Sequence, residues 1–399
     1  MKKISVILGC IILYSCSNTD ASKVEMAEVK KVELNPNLKP TFPVNDPTVR
    51  SQANFNDYAW QMFVALNWPA SATERGVADL TKNIGDPGSV VWQSFRTSGS
   101  VFLPNAQDPG SWNDGYPMEF KLKQISKVDP AIKEHLKSIG QAVGGPLTDQ
   151  DSNYTYYEKY MNEVEYNFIH TNKYYDQTVL SSLTTNMKIP TQSMEIKSAW
   201  KIMTKNDDQS KFFTAPAVIE GLDGKPFKAV VGLVGLHIIY KSADSPQWVW
   251  ATFEHINNVP GDPGSTATHF SYNNPNCSAA DCPPNVATAP KIPTQVTRYT
   301  PLSKEAKASN AKWQLMLKGT VWENYELINM QWPSDPNDPG NPQGTPTPNT
   351  MANTTMETYI QRTSSCMGCH STAGTLTENI KTNYSFLFLE AQSPSKKTK

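Results

Sequence analysis

Apolar residues recur at helical spacing in Phe55, Ala59, Met62, Phe63 and Leu66, which predicts an amphipathic helix near the start of the folded sequence. Asn67-Trp68-Pro69 ends it, because proline disfavours helical geometry in the residue before it. The pattern then changes period. Ala229 to Tyr240 (AVVGLVGLHIIY) is apolar on both alternating faces, as a central strand is, and Trp248 to His255 (WVWATFEH) is a second β-rich run. Turn residues from Lys241 to Pro246 join them, so the two runs predict a hairpin. A long stretch of Pro, Gly, Asn, Ser and Thr follows, then a helical pattern from Ser303 to Lys318 and an aromatic run from Val321 to Trp332. Pro333 to Asn349 is too rich in proline and glycine for the core. Thr354-x-x-Glu357 predicts a capping box opening a short helix that leads into the last cysteine pair. Together these elements predict an α+β domain over 51–399, an antiparallel sheet with flanking helices and long Pro/Gly/Asn-rich loops.

The first residues have a different character. Lys2 and Lys3 precede a short apolar run, Ile4 to Leu13, that cannot span a bilayer as a helix. Leu13-Tyr14-Ser15-Cys16 resembles the lipobox of bacterial lipoproteins. The resemblance implies a signal peptide over 1–15, a lipid on Cys16, and a location anchored to a bacterial membrane on the periplasmic side. A plain secretory signal is the alternative, and either reading puts the chain outside the cytoplasm. Residues 17–49 are polar and aperiodic, so a flexible tether is expected over 16–50.

Composition narrows the partners. The 399 residues are 38% hydrophobic and 10% aromatic, ample for a core, and 36 basic residues face 37 acidic ones. No basic stripe is present for nucleic acid. Of the cysteines outside the leader, Cys277 and Cys282 lie in a turn-rich loop, and an oxidising compartment predicts a disulfide between them.

The most specific chemistry is Cys366-Met-Gly-Cys369-His370. Two cysteines separated by two residues, followed at once by histidine, have the spacing of a c-type haem attachment site, in which both thiols join the haem vinyl groups and the histidine binds iron. One covalent haem is therefore expected, with Cys366, Cys369 and His370 as its site and His370 as proximal iron ligand. A zinc site would need two further ligands at matching spacing, and a thioredoxin-like dithiol would open a helix in a βαβ unit. Neither context is present.

None of the residues after His370 is methionine or histidine, so a sixth iron ligand of either type must come from upstream. His135, His170 and His269 sit in polar surroundings. His237 is an ionisable ring inside an apolar strand, and His255 ends the second strand of the hairpin, which makes these two the distal candidates. A hairpin closing over 241–246 would set His237 opposite Trp250 and His255 roughly 17 Å further along. Met330 is the runner-up, and Glu254 and His255 are candidates for acid/base catalysis.

Trp60 to Pro69, Val231 to His237, Trp248 to His255 and Ser365 to His370 together resemble a group of uncharacterised bacterial mono-haem cytochrome c family proteins. A weaker likeness is to cytochromes c-prime-beta, β-sheet haem proteins in which an aromatic segment follows a C-terminal attachment motif. Tyr384 to Phe388 would be that segment, and this likeness implies a distal side closed by apolar groups. Three function classes follow: an anchored electron-transfer cytochrome serving a redox partner protein or small molecule, a peroxidase- or oxidase-like haem enzyme, and a gas-binding haem protein.

Overall fold

The computed structural model describes residues 35–122, 145–221, 223–244, 247–261, 269–335, 344–376 and 380–395. The leader, Cys16, most of the predicted tether and His135 lie outside them. In chain order the elements are α1 Gln52–Leu66, β1 Arg96–Thr97, α2 Ser98–Val101, β2 Lys121–Leu122, β3 Tyr156–Met161, α3 Glu163–Thr171, α4 Gln177–Ser181, β4 Met194–Ile202, β5 Thr214–Glu220, β6 Pro226–Lys241, β7 Trp248–His255, α5 Lys304–Met316, β8 Tyr325–Pro333, β9 Pro346–Thr347 and α6 Cys366–His370.

The nine strands form one sheet in the order β1-β3-β4-β6-β7-β8-β9, with β5 on β6 and β2 on β5. Every pair is antiparallel except β2 with β5. The long strand β6 is the spine. Its first half pairs β5, its second half pairs β7, and its other edge pairs β4. Val231 to Tyr240 is apolar at successive positions because both faces of this central strand are covered.

Side-chain alternation sorts the sheet into two unlike faces. On one lie Leu236, Phe253 and Tyr325, covered by α1, where Trp60 and Phe63 put their rings 5.0 and 4.3 Å from Phe253. Helix α1 begins where the Ser51 hydroxyl accepts the Asn54 amide, and α5 begins the same way at Ser303 and Ala306. The other face carries His237, Ile239, Trp250 and Thr252 and is covered by chain beyond Met351. Gly235 belongs to it, and a Cβ there would collide with the Thr355 hydroxyl, so glycine lets that chain lie directly on the sheet.

Several expectations change. The hairpin pairs His237 with Thr252 and Ile239 with Trp250, so the expected register is two residues out. Lys241 still pairs with Trp248, and the turn begins one residue later than its polar composition implies. Residues 35–50 are not a free tether. Leu38 is buried, Phe42 lies edge-on to Tyr240 at 4.9 Å, and Arg50 pairs with Asp46 at 2.8 Å. Thr354 is not a helix cap. Asn353 takes that place, its amide donating to Glu357 Oε2 at 3.0 Å, and turns rather than a helix follow. Within the expected loop after Pro333, Pro346–Thr347 pairs with the end of β8. Cys277 and Cys282 form a disulfide with a Cα–Cα distance of 6.0 Å.

Candidate haem site

Helix α6 is short, and its placement depends on side chains from elsewhere. Ser365 caps it by accepting the Gly368 amide at 3.2 Å, and Met367 is buried beneath it. Gln331 of β8, fully buried, accepts the Met367 amide at 2.7 Å through Oε1 and donates through Nε2 to the Pro348 carbonyl at 2.7 Å. The Gln331 side chain thus pins the start of the helix to the sheet. Cys366 and Cys369 are both thiols and both partly exposed.

The His370 ring is fixed on several sides. Its centroid lies 4.5 Å from that of Trp250 and 4.9 Å from that of Phe386, and Nδ1 is 2.7 Å from the Tyr384 carbonyl oxygen. A carbonyl only accepts, so Nδ1 carries the hydrogen and Nε2 carries the lone pair. That tautomer is the one an iron ligand of this kind needs, with the second ring nitrogen held by a backbone acceptor. Asn383 and Tyr384 have φ of 50° and 74°, a left-handed conformation that is rare for a tyrosine. The segment that presents the Tyr384 carbonyl is therefore a strained one.

These residues fit a covalently attached haem. The donor set is two thiols and an imidazole in the required order on one turn of helix. Nearby, the Trp250 indole is 2% exposed, and its Nε1 has no hydrogen-bond partner among the described residues. A buried N–H without an acceptor is costly, and a haem carboxylate is one group that would satisfy it.

The expected distal residues separate across the sheet. His255 lies on the helix-covered face, fully buried, stacked on Phe212 at 3.8 Å. Its Nε2 is 2.9 Å from the Lys211 carbonyl and its Nδ1 accepts the Asn257 amide at 3.1 Å. Burial pushes this imidazole down to about 3, so it is neutral. His255 therefore does not share a face with His370, and neither does Met330, which is wholly buried opposite Ala251. His237 does share that face, and its Nε2 stands 3.5 Å from Glu357 Oε2. Glu254 is structural. It accepts Arg298 at 2.5 Å and the Thr354 amide at 2.7 Å, and Arg298 also pairs with Glu326 at 2.8 Å.

The remaining histidines are elsewhere. His170 bonds Asp108 at 2.8 Å, and His269 lies 3.7 Å from Asp151. Among the described residues, Asp151, Asp207 and His269 bring ligand atoms within 4.8 Å of one another. Lys201 Nζ already lies 2.5 Å from Asp207 and 3.8 Å from Asp151, so an ammonium already stands among those carboxylates.

Gln331 escaped the sequence reading, which named Trp250 only as a register partner of His237 and Tyr384 only as the start of the aromatic segment after the haem motif. A two-residue shift keeps parity, so Trp250 lies on the face of His237 in either pairing. No helix among the described residues is long and apolar enough to cross a membrane. In comparison with known proteins, no family model, no curated protein and no solved structure matches this chain.

Proposed function

We propose that this protein is an extracytoplasmic mono-haem cytochrome c, held to a bacterial membrane by lipid on Cys16, that passes single electrons to or from a partner protein or small molecule. The observation that carries this reading is the His370 ring, whose Nδ1 is tied to the Tyr384 carbonyl while Cys369 precedes it directly and Cys366 stands about one turn back on the same helix. Bound there, haem supplies a one-electron iron couple. The chain's own residues attach it through two thioethers, orient the proximal imidazole and keep water from it with the Trp250 and Phe386 rings. Gln331 fixes the helix that carries all three attachment residues, which keeps the ligand from shifting between oxidation states.

A second reading, an open iron position serving a small oxygen or nitrogen species, is favoured by one observation. Of the two histidines expected on the distal side, His255 lies on the other face and the His237 Nε2 faces Glu357. That pair is suited to hold and release a proton.

Absorption spectra of the mature protein as ferric, ferrous and ferrous with carbon monoxide test both readings. A low-spin spectrum that carbon monoxide leaves unchanged supports electron transfer, and a high-spin spectrum that shifts supports the open site. Cys369→Ala is expected to lose a thioether. Acid-acetone-resistant haem persisting at full yield in a Cys366→Ala, Cys369→Ala double variant would sink the proposal.

A further inference from the structure

A second cluster of ionisable groups lies inside the molecule, and the segment that holds His370 touches it. Glu165, in the first turn of α3, is fully buried, and Glu195 of β4 is 8% exposed. No amide, hydroxyl or ammonium of the described residues donates to either oxygen of Glu165. The two carboxyl groups act on each other, and Glu165 also acts on Lys241, itself only 6% exposed at the end of β6. Burial pushes both glutamates up, and Glu195 raises Glu165 further. Burial pulls Lys241 down to about 8. Two buried carboxyl groups that act on each other cannot both ionise cheaply, so the pair holds a proton to a pH above the ordinary carboxylate range.

Three consecutive residues connect that cluster to His370. Asn383 Oδ1 accepts Lys241 Nζ at 2.8 Å, the Tyr384 carbonyl accepts His370 Nδ1 at 2.7 Å, and the Ser385 hydroxyl bonds Glu195. Glu195, Ile239 and Trp250 also occupy one row across three strands, and the Trp250 ring packs against His370. Other charged groups facing the pair are Lys159 of β3, itself paired with Glu390, and Lys197 of β4.

We infer that Glu165 and Glu195 form a buried proton-binding site coupled to reduction of the haem, so that the protein takes up a proton with each electron. The inference rests on the haem reading above. Its balance is simple: one electron enters from a one-electron donor, one proton enters from solvent, and a carboxylate of the pair becomes a carboxylic acid. Reduction removes a positive charge nearby, which raises the proton affinity of the pair. The midpoint potential must therefore fall as pH rises through the window between the oxidised and reduced proton affinities.

The test is a spectroelectrochemical titration of the mature holoprotein across the near-neutral pH range. A tenfold fall in proton activity is expected to lower the potential by about 59 mV within the window. Glu195→Gln and Glu165→Gln should each flatten that slope and hold the potential near its low-pH value. A potential independent of pH in the wild type overturns the inference, as does a slope that persists in both Gln variants. If those variants do not fold, Ser385→Ala decides. It keeps both carboxyl groups and removes a bond that favours ionised Glu195, so the window should move to higher pH, and an unmoved window overturns the coupling. Failure of the haem reading is seen separately, as a chain that matures without covalent haem.

Discussion

The Met367 amide of α6 donates to Gln331 Oε1 of β8 at 2.7 Å, and this bond joins the haem-motif helix to the sheet. Because Gln331 also donates to the Pro348 carbonyl, truncating it strands two groups at once. Gln331→Ala should cost about 2 kcal/mol, read as a lower urea midpoint, and should lower the yield of covalent haem. Wild-type stability and full haem loading in the variant would show that the helix is placed by something else.

Trp250 offers a test that depends on the cofactor. Phenylalanine keeps an aromatic ring beside His370 and deletes the indole N–H that has no acceptor among the described residues. In the haem-free chain Trp250→Phe should be neutral or slightly stabilising, since it removes a buried orphan. In the haem-loaded protein it should cost about 1 kcal/mol, the worth of a hydrogen bond to a haem carboxylate. Equal effects on the two forms, measured by denaturant titration, would remove Trp250 from the cofactor site.

Elements that depend on local pattern were legible in the sequence. The spacing of Phe55 to Leu66 gives α1, the run from Val231 to Tyr240 gives the spine strand, and the turn-rich loop gives the Cys277–Cys282 bridge. What depends on pairing was not. A one-residue difference in where the β6–β7 turn begins shifted the partner of His237 from Trp250 to Thr252, and no local signal marks that difference. Strands β3, β4 and β5 were missed, and the buried Glu195 and Lys201 interrupt the apolar alternation of β4. Face assignment did not depend on that shift, because two residues keep parity: alternation along β7 puts His255 on the face opposite His237 in either register.

Glu254 separates a structural carboxylate from a catalytic one. Its partner Arg298 joins it to Glu326 in a site that is almost wholly buried. Arg298→Ala leaves two buried carboxylates without their shared cation and should cost about 3–5 kcal/mol in denaturant unfolding. The visible spectrum of the folded fraction should not change, because the triad stands at the Thr354 end of the sheet rather than beside His370. A spectral change at constant stability would instead return Glu254 to the haem chemistry.

His255 makes a prediction in pH. Its Nε2–H donates to the Lys211 carbonyl and its Nδ1 accepts the Asn257 amide, so the neutral ring satisfies both neighbours and a second proton would break one bond and bury a charge. The folded value of about 3 lies below the ordinary 6.5, so between those limits the unfolded chain binds a proton that the folded chain refuses. Stability from this group is complete above 6.5 and is lost as pH falls toward 3, by at most about 1.4 kcal/mol per pH unit. His255→Gln keeps a donor and an acceptor but cannot titrate. The difference in unfolding free energy between wild type and variant should therefore be flat above pH 6.5 and tilt against the wild type below it. The variant should also keep the wild-type haem spectrum, since the ring is on the far face of the sheet. A difference that is flat with pH, or a changed iron coordination, would mean that His255 is charged in the fold or reaches the haem after all.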